Sequence, residues 1–189
     1  MYQVMLAPKS RSIVSEVYDY NKKSDPVWND LFKRLRLMTD ISALNVPVRK
    51  FWHDKKDRLG DVIYCRSTMV AVNQSFKNLL IAADIRAAYF PFVLVSEHDV
   101  ELPYSFIGLS NKARVIDLHR SVFSRSDSSL RTINEVMSLA INESIDHGPI
   151  VHCIDCKLIF VKDSLVQRFK EEGITGVEFC PINEFSGRP

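Results

Sequence analysis

An internal repeat with an offset of 89 residues, Val72 to Val161, constrains the fold more than any other feature of this chain. Residues 70–80 (VAVNQSFKNLL) align without a gap with residues 159–169 (IFVKDSLVQRF), and the two segments share strand-like residues, a break and an apolar helical face. Hydrophobic periodicity is the main sequence signal of secondary structure, so the repeat predicts two similar strand–helix–strand units, residues 68–92 and 157–182. The following apolar residues also match, Ile85 with Ile174, Ala88 with Val177 and Phe90 with Phe179.

These two units predict a fold of the α/β (α+β) class in one compact domain. We expect residues 61–189 to form this domain, and residues 1–60 to form a basic amino-terminal segment with one helix. Pro26 suits the first position of that helix, with Ser24 or Asp25 as its cap. The helix is expected over residues 26–38, with an apolar face formed by Val27, Leu31, Leu35 and Met38.

Charge is unevenly distributed along the chain. Residues 1–60 carry 12 Lys and Arg against 7 Asp and Glu, whereas the whole chain has a formal net charge of only +2. This density is typical of a solvated surface, and it does not favour nucleic acid as a partner. No apolar run approaches the roughly 20 residues of a membrane span, so we expect a cytoplasmic protein with no membrane partner.

The four cysteines are expected to be reduced, because small disulfide-stapled secreted domains are shorter and richer in cysteine. Cys153 and Cys156 form one C-x-x-C motif among apolar residues. This setting favours buried structural thiols, with no metal and no disulfide. Two alternatives stay open: a redox pair, and a zinc-stabilised nucleic-acid-binding module whose site includes further ligands such as Cys65 or Cys180.

The sequence lacks the motifs of phosphate-binding loops, nucleophile elbows and zinc hydrolases. We therefore expect no cofactor and no enzyme activity. The alternative is a small enzyme of unknown reaction that uses Asp117, His119 and Ser121, an acid, a base and a hydroxyl within five residues. Catalytic triads usually combine distant parts of a chain, so this local cluster is more typical of a turn.

The carboxy-terminal part of the chain resembles a family of bacterial immunity proteins. Residues 158–182 (LIFVKDSLVQRFKEEGITGVEFCPI) are similar to the closing segment of the myxobacterial-type, immunity-protein-eleven-like proteins that accompany polymorphic toxins. In these proteins a strand is followed by V-S-x-x-L, a helix, and two glycines among hydrophobic residues. Residues 115–121 and 70–80 resemble two further segments of the family, so the resemblance covers residues 61–183. Lys162 departs from the capping serine that the family often has.

The resemblance implies a protein that neutralises a cognate toxin or effector domain by direct stoichiometric binding, with a nuclease as one candidate toxin. A net charge of +2 argues against strongly acidic mimicry of nucleic acid. Loops on a rigid scaffold carry recognition, and interface centres favour Trp and Arg. The predicted toxin-binding residues are accordingly those of a charged aromatic turn and an acidic loop: Trp52, His53, Lys55, Arg58, Glu97, Asp99 and Glu101.

The sequence of residues 133–145 is compatible with two different predictions of secondary structure. Ile133, Val136, Met137 and Ala140 have helical spacing, which favours a helix. The resemblance instead implies a strand over residues 136–141.

Overall fold

The computed structural model describes residues 1–8, 18–19, 25–37, 41, 44–52, 59–65, 69–95, 100–125, 133–142 and 145–187. The predicted α+β class is confirmed, since helices accompany mixed sheets. In chain order the elements are β1 (Tyr2–Leu6), β2 (Tyr18–Asp19), α1 (Pro26–Leu37), β3 (Lys50–Trp52), β4 (Val62–Cys65), β5 (Met69–Val72), α2 (Gln74–Ala82), β6 (Ala87–Val95), β7 (Glu101–Leu109), β8 (Lys112–Ala113), β9 (Val122–Arg125), β10 (Ile133–Ser138), β11 (Ile150–Cys153), β12 (Ile159–Lys162), α3 (Asp163–Glu171) and β13 (Glu178–Pro181).

The chain folds into two compact units. The N-terminal unit comprises Ala7–Ser110 and Ile174–Val177, and the C-terminal unit comprises Met1–Leu6, Asn111–Gly173 and Glu178–Pro189. These boundaries do not coincide with the predicted division at residue 60. The physical reason is the hydrogen bonding of β1, which pairs with β12 and β13 and so joins the first residues to the C-terminal unit.

The N-terminal unit contains a sheet with the strand order β2-β3-β6-β7-β5-β4. Strand β7 is antiparallel to both β5 and β6, so β5 and β6 run parallel with one strand between them. Helix α2 connects β5 to β6, which makes the split βαβ arrangement. Helix α1 buries Trp28, Leu31 and Leu35 against a core that includes residues of β3, β5, β6 and β7.

The C-terminal unit contains a sheet with the order β13-β1-β12-β11-β8. Strand β1 is antiparallel to β12 and β13, and α3 connects these two strands. Here β1 occupies the position that β7 has in the other unit, although it comes from the start of the sequence. The antiparallel pair β9 and β10 contributes Val136 and Phe123 to the core of this unit.

The register of the two sheets agrees with the repeat. In one unit, neighbouring strands align Val62, Val72, Ser105 and Pro91 in one row. In the other, the corresponding row is Ile150, Val161, Gln3 and Pro181. Helices α2 and α3 have 9 residues each and bury equivalent side chains, Phe76 and Leu80 in α2, Leu165 and Phe169 in α3. The strand register and the buried faces of the helices thus confirm the prediction of two similar strand–helix–strand units.

Residues 133–138 form a strand, so the helical spacing of this segment is misleading. Val136 is buried and Met137 is 61% exposed, which is the alternation of a strand with one face on the core. Beyond β10, Ile141 forms an isolated bridge with Ile116. Tertiary pairing therefore decides the conformation here.

Candidate functional site

The candidate site consists of the two segments in which the toxin-binding residues are predicted. The structure describes the backbone of Trp52 at the end of β3, and it describes Glu101 at the start of β7. The other five predicted residues lie outside the described part of the chain: His53, Lys55, Arg58, Glu97 and Asp99.

The sheet brings the two segments together. Trp52 pairs with Val95 in the parallel pair β3 and β6, and Val95 pairs with Glu101 in the antiparallel pair β6 and β7. These three residues form one row across three neighbouring strands, which we call the sheet end. Because β3 and β6 both end at this row and β7 begins there, residues 53–58 and 96–100 are joined to the same end of the sheet.

The surface of the sheet end has both charged and apolar side chains. Lys50 of β3 and Glu101 of β7 form an ion pair across β6, and each side chain is 51% exposed. Val100, immediately before Glu101, is also 51% exposed. An exposed ion pair contributes little to stability, because water screens it. This ion pair therefore has little structural role, and both of its charges are accessible to solvent.

An aromatic cluster packs between helix α1 and strands β3, β6 and β7, and it begins one residue inside the sheet end at Phe51. It comprises Trp28 and Phe32 of α1 together with Phe51, Phe92 and Phe106 of the sheet. The rings of Phe92 and Phe106 stack at 4.5 Å, and Trp28 meets Phe51 edge-on at 5.1 Å. Such ring pairs add about 0.5–1.5 kcal/mol each beyond their buried area. Strands β3, β6 and β7 consequently have a tightly packed support next to the sheet end.

Helix α1 is attached to this support by polar contacts as well. Asp25 accepts a hydrogen bond from the backbone N–H of Val27 at 2.9 Å, so it caps the helix as predicted. Its other oxygen lies 3.3 Å from a guanidinium nitrogen of Arg49, just before β3. The predicted apolar face needs one correction: Val27 is 40% exposed and Trp28 is 1% exposed. Trp28, Leu31 and Leu35 are three and four residues apart, which is the spacing of side chains on one face of a helix.

The sheet end belongs to a part of the N-terminal unit that extends beyond the repeat. Strand β6 continues four residues beyond Pro91, to Val95, whereas β13 ends at Pro181 and turns into a 3-10 helix. Strand β3 pairs with this extension of β6 through Val93, Leu94 and Val95. The candidate site therefore lies on a feature that one repeat has and the other lacks among the described residues.

The alternative catalytic cluster forms a turn. The Oδ1 atom of Asp117 accepts hydrogen bonds from the backbone N–H groups of His119 at 3.0 Å and Arg120 at 3.2 Å. The hydroxyl of Ser121 accepts one from the N–H of Ala140 at 2.9 Å. The Asp117 carboxylate and the Ser121 hydroxyl thus accept hydrogen bonds from backbone N–H groups. These hydrogen bonds do not join either group to the imidazole of His119.

The cysteines of the C-x-x-C motif are buried, with Cys153 at 0% and Cys156 at 3% exposure. Among the residues that the structure describes, no group of three or more His, Cys, Asp or Glu side chains is placed to hold a metal ion. Cys180 lies on β13, and its thiol donates to the carbonyl of Pro181 at 3.5 Å.

The chain matches no protein-family model and no curated protein sequence. Within the described ranges, no helix is long and apolar enough to cross a membrane.

Proposed function

We propose that this chain is an immunity protein that binds a cognate bacterial toxin domain stoichiometrically in the cytoplasm and thereby neutralises it. The observation that carries the proposal is the row Trp52, Val95 and Glu101. It joins both predicted binding segments to one end of the sheet. The two segments therefore start or end at the same row of the sheet.

The charge of the two segments supports binding by complementarity. Residues 53–58 carry a net charge of +1, since Asp54 and Asp57 partly offset Lys55, Lys56 and Arg58, and residues 96–101 carry a net charge of −3 from Glu97, Asp99 and Glu101. Neighbouring regions of opposite sign orient a partner and accelerate its association, and they disfavour partners with the wrong pattern. A nuclease with a basic cleft would place that cleft against the acidic residues.

The packed support next to the sheet end favours high affinity. Binding costs free energy when loops or strands must be ordered, and a packed scaffold lowers this cost. The aromatic cluster already holds β3, β6 and β7 in place. Neutralisation by binding requires such a scaffold and a complementary surface, and it requires no catalytic group.

The test begins with the open reading frames beside this gene: a toxin domain encoded there is co-expressed with this chain. We expect protected growth, and we expect the purified proteins to form a complex of one copy each in light scattering. Protection by far less than one copy of this chain per toxin would indicate enzymatic reversal of the damage. That result would overturn the proposal.

Surface variants locate the interface. Glu101→Lys and Val100→Glu change exposed side chains, so we expect them to weaken protection and to lower the free energy of unfolding by about 1 kcal/mol at most. The matched control is Glu172→Lys, an exposed charge reversal at the end of α3. Equal protection by all three variants would exclude the sheet end as the binding surface.

A further inference from the structure

One face of the N-terminal sheet is exposed at the extension of β6, where β3 and β7 lie on either side of it. Side chains alternate between the two faces of a sheet, and Phe51, Phe92 and Tyr104 point to the face that α1 covers. Arg49 points to that face as well, because its guanidinium meets Asp25 at the start of α1. The residues that alternate with these in each strand therefore point to the opposite face.

We call this opposite surface the open face. Val48 and Lys50 lie on either side of Arg49 and so point away from α1, and Val48 is 63% exposed. Pro103 of β7 is also exposed, whereas Val95 at the sheet end is buried and limits the apolar part of the surface. The open face comprises the following exposed or partly buried residues: Val48, Lys50, Pro91, Val93, Glu101 and Pro103.

The apolar side chains of the open face are rigid. Proline loses no rotamer freedom on burial, and valine, which is branched at Cβ, has few rotamers to lose. The aromatic cluster on the other face already holds the three strands. A protein that covers the open face therefore gains apolar contact at a small entropic cost, which favours affinity.

The charges around the open face indicate which kind of protein fits it. Glu101 belongs to residues 96–101, which carry a net charge of −3, and Lys50 lies on the other side of β6. A complementary surface has Lys or Arg against the acidic residues and apolar side chains beside them. The open face of a second copy offers one basic residue among its described members, Lys50, against this charge of −3. A basic partner is therefore more complementary than a second copy.

We propose that the open face is the docking surface for the cognate toxin domain, which covers it with apolar side chains beside a cluster of Lys and Arg. This inference rests on the proposed function, and it adds the centre of the interface and the chemistry of the partner. Val48, Pro91, Val93 and Pro103 form the centre, and the sheet end forms the acidic rim.

The experiment measures the dissociation constant of the full-length chain and the toxin domain that it neutralises, by isothermal titration calorimetry. Val48→Glu and Pro103→Glu place a charge in the centre of the interface, so each should weaken binding at least about tenfold. Met137→Glu is the matched control, because Met137 is 61% exposed on β10, and its affinity should stay within about threefold of wild type. Higher salt should weaken the binding of the wild type, because salt screens the charges at the rim.

Wild-type affinity in both Val48→Glu and Pro103→Glu would overturn this inference and leave the proposed function intact, whereas a wild type that protects against no neighbouring toxin would overturn both. Binding that is independent of salt would overturn the proposed chemistry of the partner. A wild-type dimer in light scattering that Val48→Glu converts to a monomer would show that a second copy occupies the open face, and it would overturn the inference as well.

The wild-type complex gives the same answer if a variant does not fold. Hydroxyl-radical footprinting should show reduced labelling of the peptides that contain Val48 and Pro103 when the toxin domain is bound, and unchanged labelling of Met137. Unchanged labelling of all three residues would overturn the inference.

Discussion

Thr175 donates two hydrogen bonds to the carboxylate of Asp61, although 114 residues separate them in the sequence. The N–H and the hydroxyl of Thr175 lie 2.8 Å and 2.7 Å from Oδ2 of Asp61. The amide of Asn73 donates to Oδ1 at 2.7 Å, and the amide oxygen of Asn73 caps α2 by accepting from the N–H of Phe76 at 3.1 Å. One carboxylate therefore connects residues 174–177 to β4 and α2 within the N-terminal unit.

Asp61→Asn should destabilise the protein at neutral pH by about 1–2 kcal/mol, because the charged acceptor is lost and water partly screens the site. Partial burial alone raises the pKa of Asp61, but the hydrogen bonds from Thr175 and Asn73 outweigh it and lower the pKa. The unfolded state thus binds the proton more readily. The stabilisation is present above the unfolded pKa of about 3.9 and is lost as the pH falls through the lower folded pKa.

Urea unfolding from neutral to acidic pH measures this difference. The gap between wild type and Asp61→Asn should narrow as the pH falls, while Glu172→Gln, at an exposed position, should stay within about 0.5 kcal/mol of wild type. A difference in unfolding free energy that is independent of pH would show that the charge of Asp61 does not contribute to stability.

Gly176→Ala should destabilise more than Gly173→Ala. Both glycines have a left-handed φ, 82° and 67°, so each substitution incurs a backbone cost of about 1–2 kcal/mol. A Cβ on Gly176 would lie 2.1 Å from the carbonyl oxygen of Val62, whereas a Cβ on Gly173 would have no heavy atom within 4 Å. The clash should add about 1–3 kcal/mol, measured by denaturant unfolding. Equal losses would refute the close approach of residues 174–177 to β4.

Leu80→Ala should cost about 2–5 kcal/mol, because Leu80 is fully buried and the substitution leaves a cavity. The neighbouring Ile81→Ala is the matched control, since Ile81 is 57% exposed and should change the unfolding free energy by about 0.5 kcal/mol or less. Similar effects of the two substitutions in thermal or urea unfolding would contradict the orientation of α2.

The repeat could be predicted because its information is local. The spacing of Phe76 and Leu80, and of Leu165 and Phe169, reports the buried face of each helix. The predicted equivalence of Val72 and Val161 agrees with their burial, 1% and 0% exposed. These features depend on residues that are close in the sequence.

Long-range pairing could not be predicted in the same way. Strand β1 pairs with β12 and β13 near the other end of the sequence, and no periodicity of residues 2–6 encodes those partners. The bond from Thr175 to Asp61 joins two common residue types across 114 positions. Similarly, composition alone predicts the two binding segments, but only strand register places Trp52 and Glu101 in one row with Val95.

The ion pair of Lys50 and Glu101 allows stability and toxin binding to be separated by a charge swap. Lys50→Glu alone or Glu101→Lys alone should reduce stability by about 0.2–1 kcal/mol, and the double variant should recover it because an exposed pair is restored. Protection against the toxin should not recover, since a partner complementary to the original charges now meets the reversed ones. Unfolding and co-expression assays on all four proteins measure both effects. Full recovery of protection in the double variant would mean that Glu101 contributes only to the ion pair with Lys50 and does not contact the toxin.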